Sequence, residues 1–308
     1  LRLARLINYN AKRNQPATGL LKGNAISTTQ DVLDSSGSNL ANNTILWNDS
    51  ANSNYREQFT AILNAANQTG QLFGKPREAA SVGGVKTEVY TLSSNQADLP
   101  MFNFTSNVGG VGRDFEIVSS TIENSESIYE SNPVEGTGLT YTYRSDGSGD
   151  SSNNTGFFFL FKQGRIQQTT FTIDSAITNY IQTLDTPNIN NSDVWLYQLD
   201  QFGQIAKKWT QVPSLSGNNA IYNSLAKSER DIYNVVTKAN DEVDLVFGDG
   251  NFSNLPLGSF KAYYRTSDNA KFAIQPSEMQ NILVSVPYVD ANGSQQTLSI
   301  TLSLQASV

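Results

Sequence analysis

Apolar and polar residues alternate with a period of two along most of this chain, and that period predicts strands. The cleanest case is 297–304, where Leu298, Ile300, Leu302 and Leu304 share one face and Thr297, Ser299, Thr301 and Ser303 the other. That Thr/Ser face is flat and uncharged, which suits either solvent or a covering neighbour. Residues 282–289 set Ile282, Val284, Val286 and Tyr288 on one face with Pro287 opposite, so this strand belongs at a sheet edge or a bulge. Asp290-Ala291-Asn292-Gly293 joins the two as a turn. Strands are also predicted at 25–29, 85–92, 101–104, 115–118, 139–144, 167–173, 194–199, 207–212 and 231–236. The turn DQFGQ at 200–204 pairs 194–199 with 207–212 as a hairpin. The run FFFLF at 157–161 is apolar at every position and too short for a core helix, so it predicts a strand buried on both faces. Its cover is the protein's own core, the simpler reading, or another subunit.

One segment follows a different period. Residues 54–67 place Tyr55, Phe59, Ile62, Leu63 and Ala66 on a single stripe, which predicts an amphipathic helix packed on a sheet. Asn54 caps it, Glu57 completes a capping box and Gly70 closes the far end. Breaker-rich stretches separate the elements: a linker at 13–19, an apolar knot at 45–47 between polar loops, and a low-complexity mobile loop, SDGSGDSSNNTG, at 145–156. The glycines of 109–112 predict a turn, because no apolar strand precedes them and no helical pattern follows, as a phosphate-cradling loop requires. Pro276 opens one helical turn over 277–280. The fold class is mainly β with minor α: several small sheet or sandwich-like domains in an extended arrangement, plus the helix. Three consecutive domains are expected at 1–95, 96–190 and 191–308.

Composition narrows the function. The chain has 308 residues, no Cys and no His. Disulfides, thiolate metal sites, the commonest general base and the commonest transition-metal ligand are thereby removed together. The 28 Phe and Tyr residues, set mostly in periodic apolar segments, argue for a folded chain, and no apolar run is long enough to cross a bilayer as a helix. The opening LRLARLINYNAKR lacks Met and reads as the last turns of a helix, which predicts a start inside a longer protein. The net charge is −7, yet residues 1–23 carry Arg2, Arg5, Lys12, Arg13 and Lys22 and no acid. A basic arm on an acidic body suits contact with an acidic protein neighbour or another copy. Five charges are few for nucleic acid, and the acidic bulk opposes wrapping it.

The stretch 243–276 carries the most specific pattern. An apolar strand at 243–247 ends in Phe247-Gly248-Asp249-Gly250; a polar loop with Pro256 and Gly258 follows; then 259–266 alternates Phe260, Ala262 and Tyr264 against Lys261, Tyr263 and Arg265. Local chemistry predicts a β-hairpin whose glycines supply the turn. FGDG, a short loop, Pro-x-Gly and an alternating strand ending Tyr264-Arg265 resembles the motif of the baseplate J-like family. Within it, the Asn/Ser-rich style and the paired Trp195 and Trp209 strands are most similar to the large wedge subunits of T-even-like contractile-tailed phages (cyanophage-like myoviruses). The resemblance implies a non-enzymatic structural subunit of the virion's tail baseplate, assembled in the host cytoplasm. It further implies paired copies in a ring around the tail tube, contacts to other wedge proteins and to the sheath-initiating protein, and neither cofactor nor membrane. Arg2, Arg5, Lys12 and Arg13, with Tyr55 and Phe59 on the helix, are the expected contacts to wedge neighbours.

Two other chemistries compete with this reading. Asp146 and Asp150, four apart around glycine, lack the terminal Glu of a calcium loop. Asp241, Glu242, Asp244 and Asp249 cluster in sequence, but only Asp249 has a position fixed by its surroundings, that of a turn aspartate bonding nearby backbone N–H groups. A glycosidase needs two acids across a cleft and exposed stacking aromatics, whereas Trp47, Trp195 and Trp209 sit in apolar strand contexts. The alternative function is a tail spike or adhesin that binds host-surface carbohydrate, a class that shares the Asn/Ser/Thr-rich composition but usually shows regular internal repeats.

Overall fold

A computed structural model describes residues 15–33, 37, 44–46, 61–62, 76–93, 102–123, 127–133, 138–149, 152–215, 230–238, 241–290 and 292–308. The protein is mainly β. Its strands are β1 (Thr18–Thr28), β2 (Thr44–Leu46), β3 (Glu78–Val82), β4 (Val85–Ser93), β5 (Phe102–Val108), β6 (Val111–Val118), β7 (Ser120–Glu123), β8 (Ser127–Glu130), β9 (Gly138–Ser145) and β10 (Gly156–Gln163). They continue as β11 (Arg165–Ile173), β12 (Ile181–Leu184), β13 (Ile189–Leu199), β14 (Ile205–Gln211), β15 (Ile232–Thr237), β16 (Val243–Phe247), β17 (Gly258–Thr266), β18 (Ile282–Val289) and β19 (Gln295–Leu304). The described residues form two compact units, one spanning Gly164–Lys271 and the other joining Ala17–Gln163 to Phe272–Val308. Three consecutive segments, as expected at 1–95, 96–190 and 191–308, do not follow this division. The reason is that β1 pairs with β19, so hydrogen bonding joins the two ends of the chain into one sheet.

The larger unit is built around β10. On one edge it pairs with β1; on the other, β9 takes Gly156–Phe158 and β6 takes Leu160–Gln163. Phe157, Phe159 and Phe161 enter the main core, while Phe158 and Leu160, pointing the other way, are 3% exposed each. The expectation for FFFLF therefore holds, with the protein's own core as its cover. Ring contacts reinforce neighbouring strands on one face: Phe115 meets Phe161 edge-on at 5.9 Å and Tyr141 meets Phe157 at 5.7 Å. β18 ends the sheet, as Pro287 requires, and Val284, Val286 and Tyr288 are buried. β19 lies between β18 and β1, so both of its backbone edges are paired and its Thr/Ser face needs no guard against edge pairing. β1 begins at Thr18, inside the stretch expected to be linker, because Thr18 to Lys22 find partners on β10. Gly109 and Gly110, both at positive φ, make the tight turn between β5 and β6. Pro276–Glu278 forms one 3-10 turn, as expected. Of the helix expected at 54–67, only Ala61 and Ile62 lie among the described residues; both are helical, and Ile62 is buried in this core.

The low-complexity loop after β9 is held by a side chain. Asp146 accepts hydrogen bonds from the Ser148 N–H at 2.8 Å, Ser152 Oγ at 2.5 Å and Thr155 Oγ1 at 2.9 Å. Among the described residues of this loop, Lys22 Nζ also donates to the Ser152 carbonyl at 2.7 Å, so a carboxylate and an ammonium both tie it down. The Ser152 hydroxyl, then the Ser148 N–H and Thr155 hydroxyl, lower the Asp146 carboxyl to about 2. The folded value lies below the unfolded one of about 3.9, so this local stabilisation is complete above pH ~4 and disappears as pH falls toward ~2. Protection of the Ser148 amide, its slowing relative to the intrinsic exchange rate at the same pH, is expected to be lost across that window in the native protein and to be absent at every pH after Asp146→Ala.

In the Gly164–Lys271 unit the sheet order is β11-β17-β13-β14-β15-β16-β12. β16 and β17, expected to pair as a hairpin, are not neighbours: β16 pairs with β15 and β12, and β17 with β11 and β13. The two strands face each other across the core. Val243, Leu245 and Phe247 of β16 and Phe260, Ala262 and Tyr264 of β17 all point inward and are buried. Trp209 of β14 lies between them, 5.4 Å from the Phe247 ring and 5.7 Å from Phe260. The β13–β14 hairpin forms as expected, with Leu196 opposite Trp209. Apolar alternation specifies which face of a strand is buried, but a hairpin and an arch across a core satisfy it equally. The intervening loop is too long for a tight turn, which leaves the arch open to it.

Candidate interaction surface at one end of the Gly164–Lys271 unit

Strand register places four connections at the same end of this unit. Ile173 ends β11 opposite Gly258, the first residue of β17, and Gln198 near the end of β13 faces Phe260. Ile181, the first residue of β12, pairs with Val246 near the end of β16. The loops 174–180, 200–204 and 248–257, with the entry to β15, therefore gather there.

The FGDG residues shape this end. Phe247 anchors the loop in the core and donates its N–H to the Tyr180 carbonyl at 2.9 Å. At Gly248 the chain doubles back so closely that a Cβ would lie 1.7 Å from Ser253 Oγ and 2.6 Å from Ser253 Cβ. Glycine is required there by space. Gly250 and Gly258 have φ of +85° and +97°, the left-handed region that favours glycine. Asp249 Oδ1 accepts the N–H groups of Asn251 at 2.9 Å and Phe252 at 3.4 Å, while Oδ2 accepts Asn251 Nδ2 at 3.1 Å. The Asn251 backbone bond, foremost among these, holds the Asp249 carboxyl below the usual carboxylate range. Asp249 is thus a turn-holding aspartate. Asp200 works alike in the β13–β14 turn, accepting the N–H groups of Phe202 and Gln204 at 2.8 Å each.

Polar ties fasten the loop to the strands beneath. Asn254 donates its N–H to the Arg230 carbonyl and its Nδ2 to Asp231 Oδ1, both at 2.8 Å. The same buried Asp231 oxygen receives Lys207 Nζ at 2.9 Å. Gln198 Nε2 reaches the Leu257 carbonyl at 2.7 Å, and Pro256 is buried. The remaining two residues of the sequence motif are not part of this end. Tyr264 hydrogen-bonds Thr186 Oγ1 at 2.9 Å through its hydroxyl. Arg265, on the opposite face and fully buried, has Nε 3.5 Å from Asp193 Oδ2. Arg2, Arg5, Lys12, Arg13, Tyr55 and Phe59, the expected subunit contacts, lie outside the described residues.

Held in this way, the loops present apolar side chains to solvent. Ile177, Ile181, Phe202, Ile205, Phe252 and Leu257 are all exposed, Phe202 at 77%. They are the large exposed apolar side chains of this unit among its described residues, and all six sit at one end. Exposed apolar groups gathered on one surface mark interaction sites, whereas scattered ones are ordinary. The sequence offered one unused signal for them: Phe202 occupies a tight turn, where no strand partner can bury it. Among the described residues, no three His, Cys, Asp or Glu side chains group to hold a metal ion, and no helix is long and apolar enough to cross a membrane.

Residues 19–307 match the family described as a domain of unknown function, DUF8360. The chain belongs to this family. The match takes in residues of both compact units. Neither the curated proteins nor the solved structures compared with the chain give a match.

Proposed function

We propose that this protein is a structural wedge subunit of the baseplate of a contractile phage tail, contributing to the ring around the tail tube. In this reading it joins copies of itself, other wedge proteins and the sheath-initiating protein, and relays the rearrangement that triggers contraction. It works through surfaces, without a catalytic site or cofactor of its own, and resides in the virion. The observation that carries the reading is the end of the Gly164–Lys271 unit, where the FGDG loop, the β13–β14 turn and the 174–181 stretch hold six apolar side chains in solvent. Rigid loops anchored by Asp249, Asp200 and Asn254 present those groups at low entropic cost on binding, as a docking surface requires. The likeness of the FGDG segment to the baseplate J-like motif supplies the kind of assembly.

The test is co-purification of the tagged chain with wedge and sheath-initiating proteins from a contractile-tailed phage. Phe202→Asp and Leu257→Asp change exposed side chains and are expected to leave the melting temperature unchanged. Each is expected to lower capture of a wedge partner by about tenfold, the loss typical of an apolar anchor at an interface. Capture unaffected by both substitutions, or a chain that ignores these partners and binds saccharide, overturns the proposal.

A further inference from the structure

The loops that form the apolar end of the Gly164–Lys271 unit share a charge pattern. Loops 174–180, 200–204 and 248–257 contain Asp174, Asp200 and Asp249 and no Lys or Arg. All three acids are exposed. They stand close in sequence to the apolar groups of the same loops: Asp174 precedes the exposed Ile177, and Asp200 precedes Phe202. At Phe202 the spacing is fixed, because the Asp200 carboxylate accepts that residue's own N–H at 2.8 Å. The bases of this end lie on the neighbouring strands. Lys207 and Lys208 belong to β14 and Arg230 to the entry of β15, and Lys207 is bonded to the buried Asp231 at 2.9 Å. A purely apolar partner would strip water from the loop carboxylates and return nothing. The surface therefore selects a partner that interleaves cations with apolar groups.

We propose that this end binds residues 1–13 of a second copy of the chain. That segment, LRLARLINYNAKR, sets Arg2 and Arg5 among Leu1, Leu3, Leu6 and Ile7, follows with Lys12 and Arg13, and contains no acid. No stretch elsewhere in the chain places four bases within thirteen residues without an acid. The leucines and isoleucine match Ile177, Ile181, Phe202 and Leu257, and the bases match the three loop carboxylates. Whole chains of charge −7 repel one another at long range. Beyond about 8 Å at physiological salt that repulsion is screened, so the opposite charges brought into contact decide the outcome. Segment and end are different surfaces, so every copy offers one of each and the contact can close a ring of copies. This contact rests on the reading of the end as a docking surface and supplies its occupant.

A synthetic peptide of residues 1–13 with a fluorophore at its C-terminus, titrated with the full chain and followed by anisotropy, tests the contact. Saturable binding is expected at about 0.05 M salt, weakened about tenfold at about 0.5 M. Asp174→Asn, Asp200→Asn and Asp249→Asn combined are expected to weaken it about tenfold at the lower salt. Asparagine Oδ1 still accepts the turn N–H groups at positions 200 and 249, so the melting temperature is expected to hold. Phe202→Ser is expected to cost a further tenfold or so. A peptide with Arg2→Glu and Arg5→Glu, its apolar residues intact, is expected not to bind. In sedimentation equilibrium the full chain is expected to self-associate reversibly, and the same two substitutions in the full chain to abolish association. A peptide that does not bind, equal binding by the Asp→Asn variant, or a full chain that stays monomeric at concentrations where the peptide binds each overturns the proposal. Wedge-partner capture that depends on Phe202 while the peptide stays unbound overturns this occupant and leaves the docking surface standing.

Discussion

Replacing Gly248 by alanine is expected to destabilise the Gly164–Lys271 unit by about 3 kcal/mol, the upper range for forcing an atom into a filled site. The new Cβ would lie 1.7 Å from Ser253 Oγ and 2.6 Å from Ser253 Cβ, and Ser253 is itself buried, so its side chain has nowhere to swing. Relief requires the loop to shift, which pulls against the Asn254 bonds to Arg230 and Asp231. Thermal melts are expected to show a loss of about 10 °C, with part of it recovered in Gly248→Ala combined with Ser253→Gly. Gly203→Ala is the control. Its φ of +76° is unfavourable for alanine, but nothing lies within 4 Å of the added atom, so about 1 kcal/mol is expected. Equal effects at the two positions would overturn the requirement for space at Gly248.

Phe159→Ala is expected to cost about 4 kcal/mol in the larger unit, typical of emptying a fully buried phenylalanine site. Phe159 has no exposed surface, sits on the central strand β10 and packs with Tyr141 at 6.0 Å between ring centres. The more informative variant is its neighbour Phe158→Ala. On a strand with one wet face, adjacent positions differ sharply; here Phe158 is 3% exposed, with the Arg144 guanidinium 5.8 Å from its ring centre. Its loss is expected to exceed 2 kcal/mol in chemical denaturation. A change within 0.5 kcal/mol, the range of surface substitutions, would contradict burial on both faces of β10.

Much of the site was legible locally. The Asp249 and Asp200 turns follow from the short reach between a carboxylate and the next backbone N–H groups, and the structure shows those bonds at both. The role of Gly248 was legible only as conformational freedom. Its φ is outside the positive range, and what demands glycine is Ser253, five residues on and folded back against it. The apolar end escaped the sequence because Ile177, Phe202 and Leu257 come from separate loops that only strand register brings to one end. The sequence placed Arg265 only on the strand face opposite Phe260, Ala262 and Tyr264. Arg265 is buried because the register of β13 on β17 shifts between Ile189 and Val194, the stretch that brings Asp193 to it.

By itself the sequence determined that this protein is mainly β, where most strands lie, which side of the alternating ones is buried, that β10 is covered on both faces and that β18 lies at a sheet edge or a bulge. Those properties depend on side-chain periodicity, on proline's missing N–H and on local turn chemistry, all encoded within a few residues. The tertiary structure alone decided which strands are neighbours. Backbone hydrogen bonds are the same for every sequence, so pairing is chosen by how the buried faces fit together over the whole unit. That fit set β16 across the core from β17 around Trp209 and joined β1 to β19.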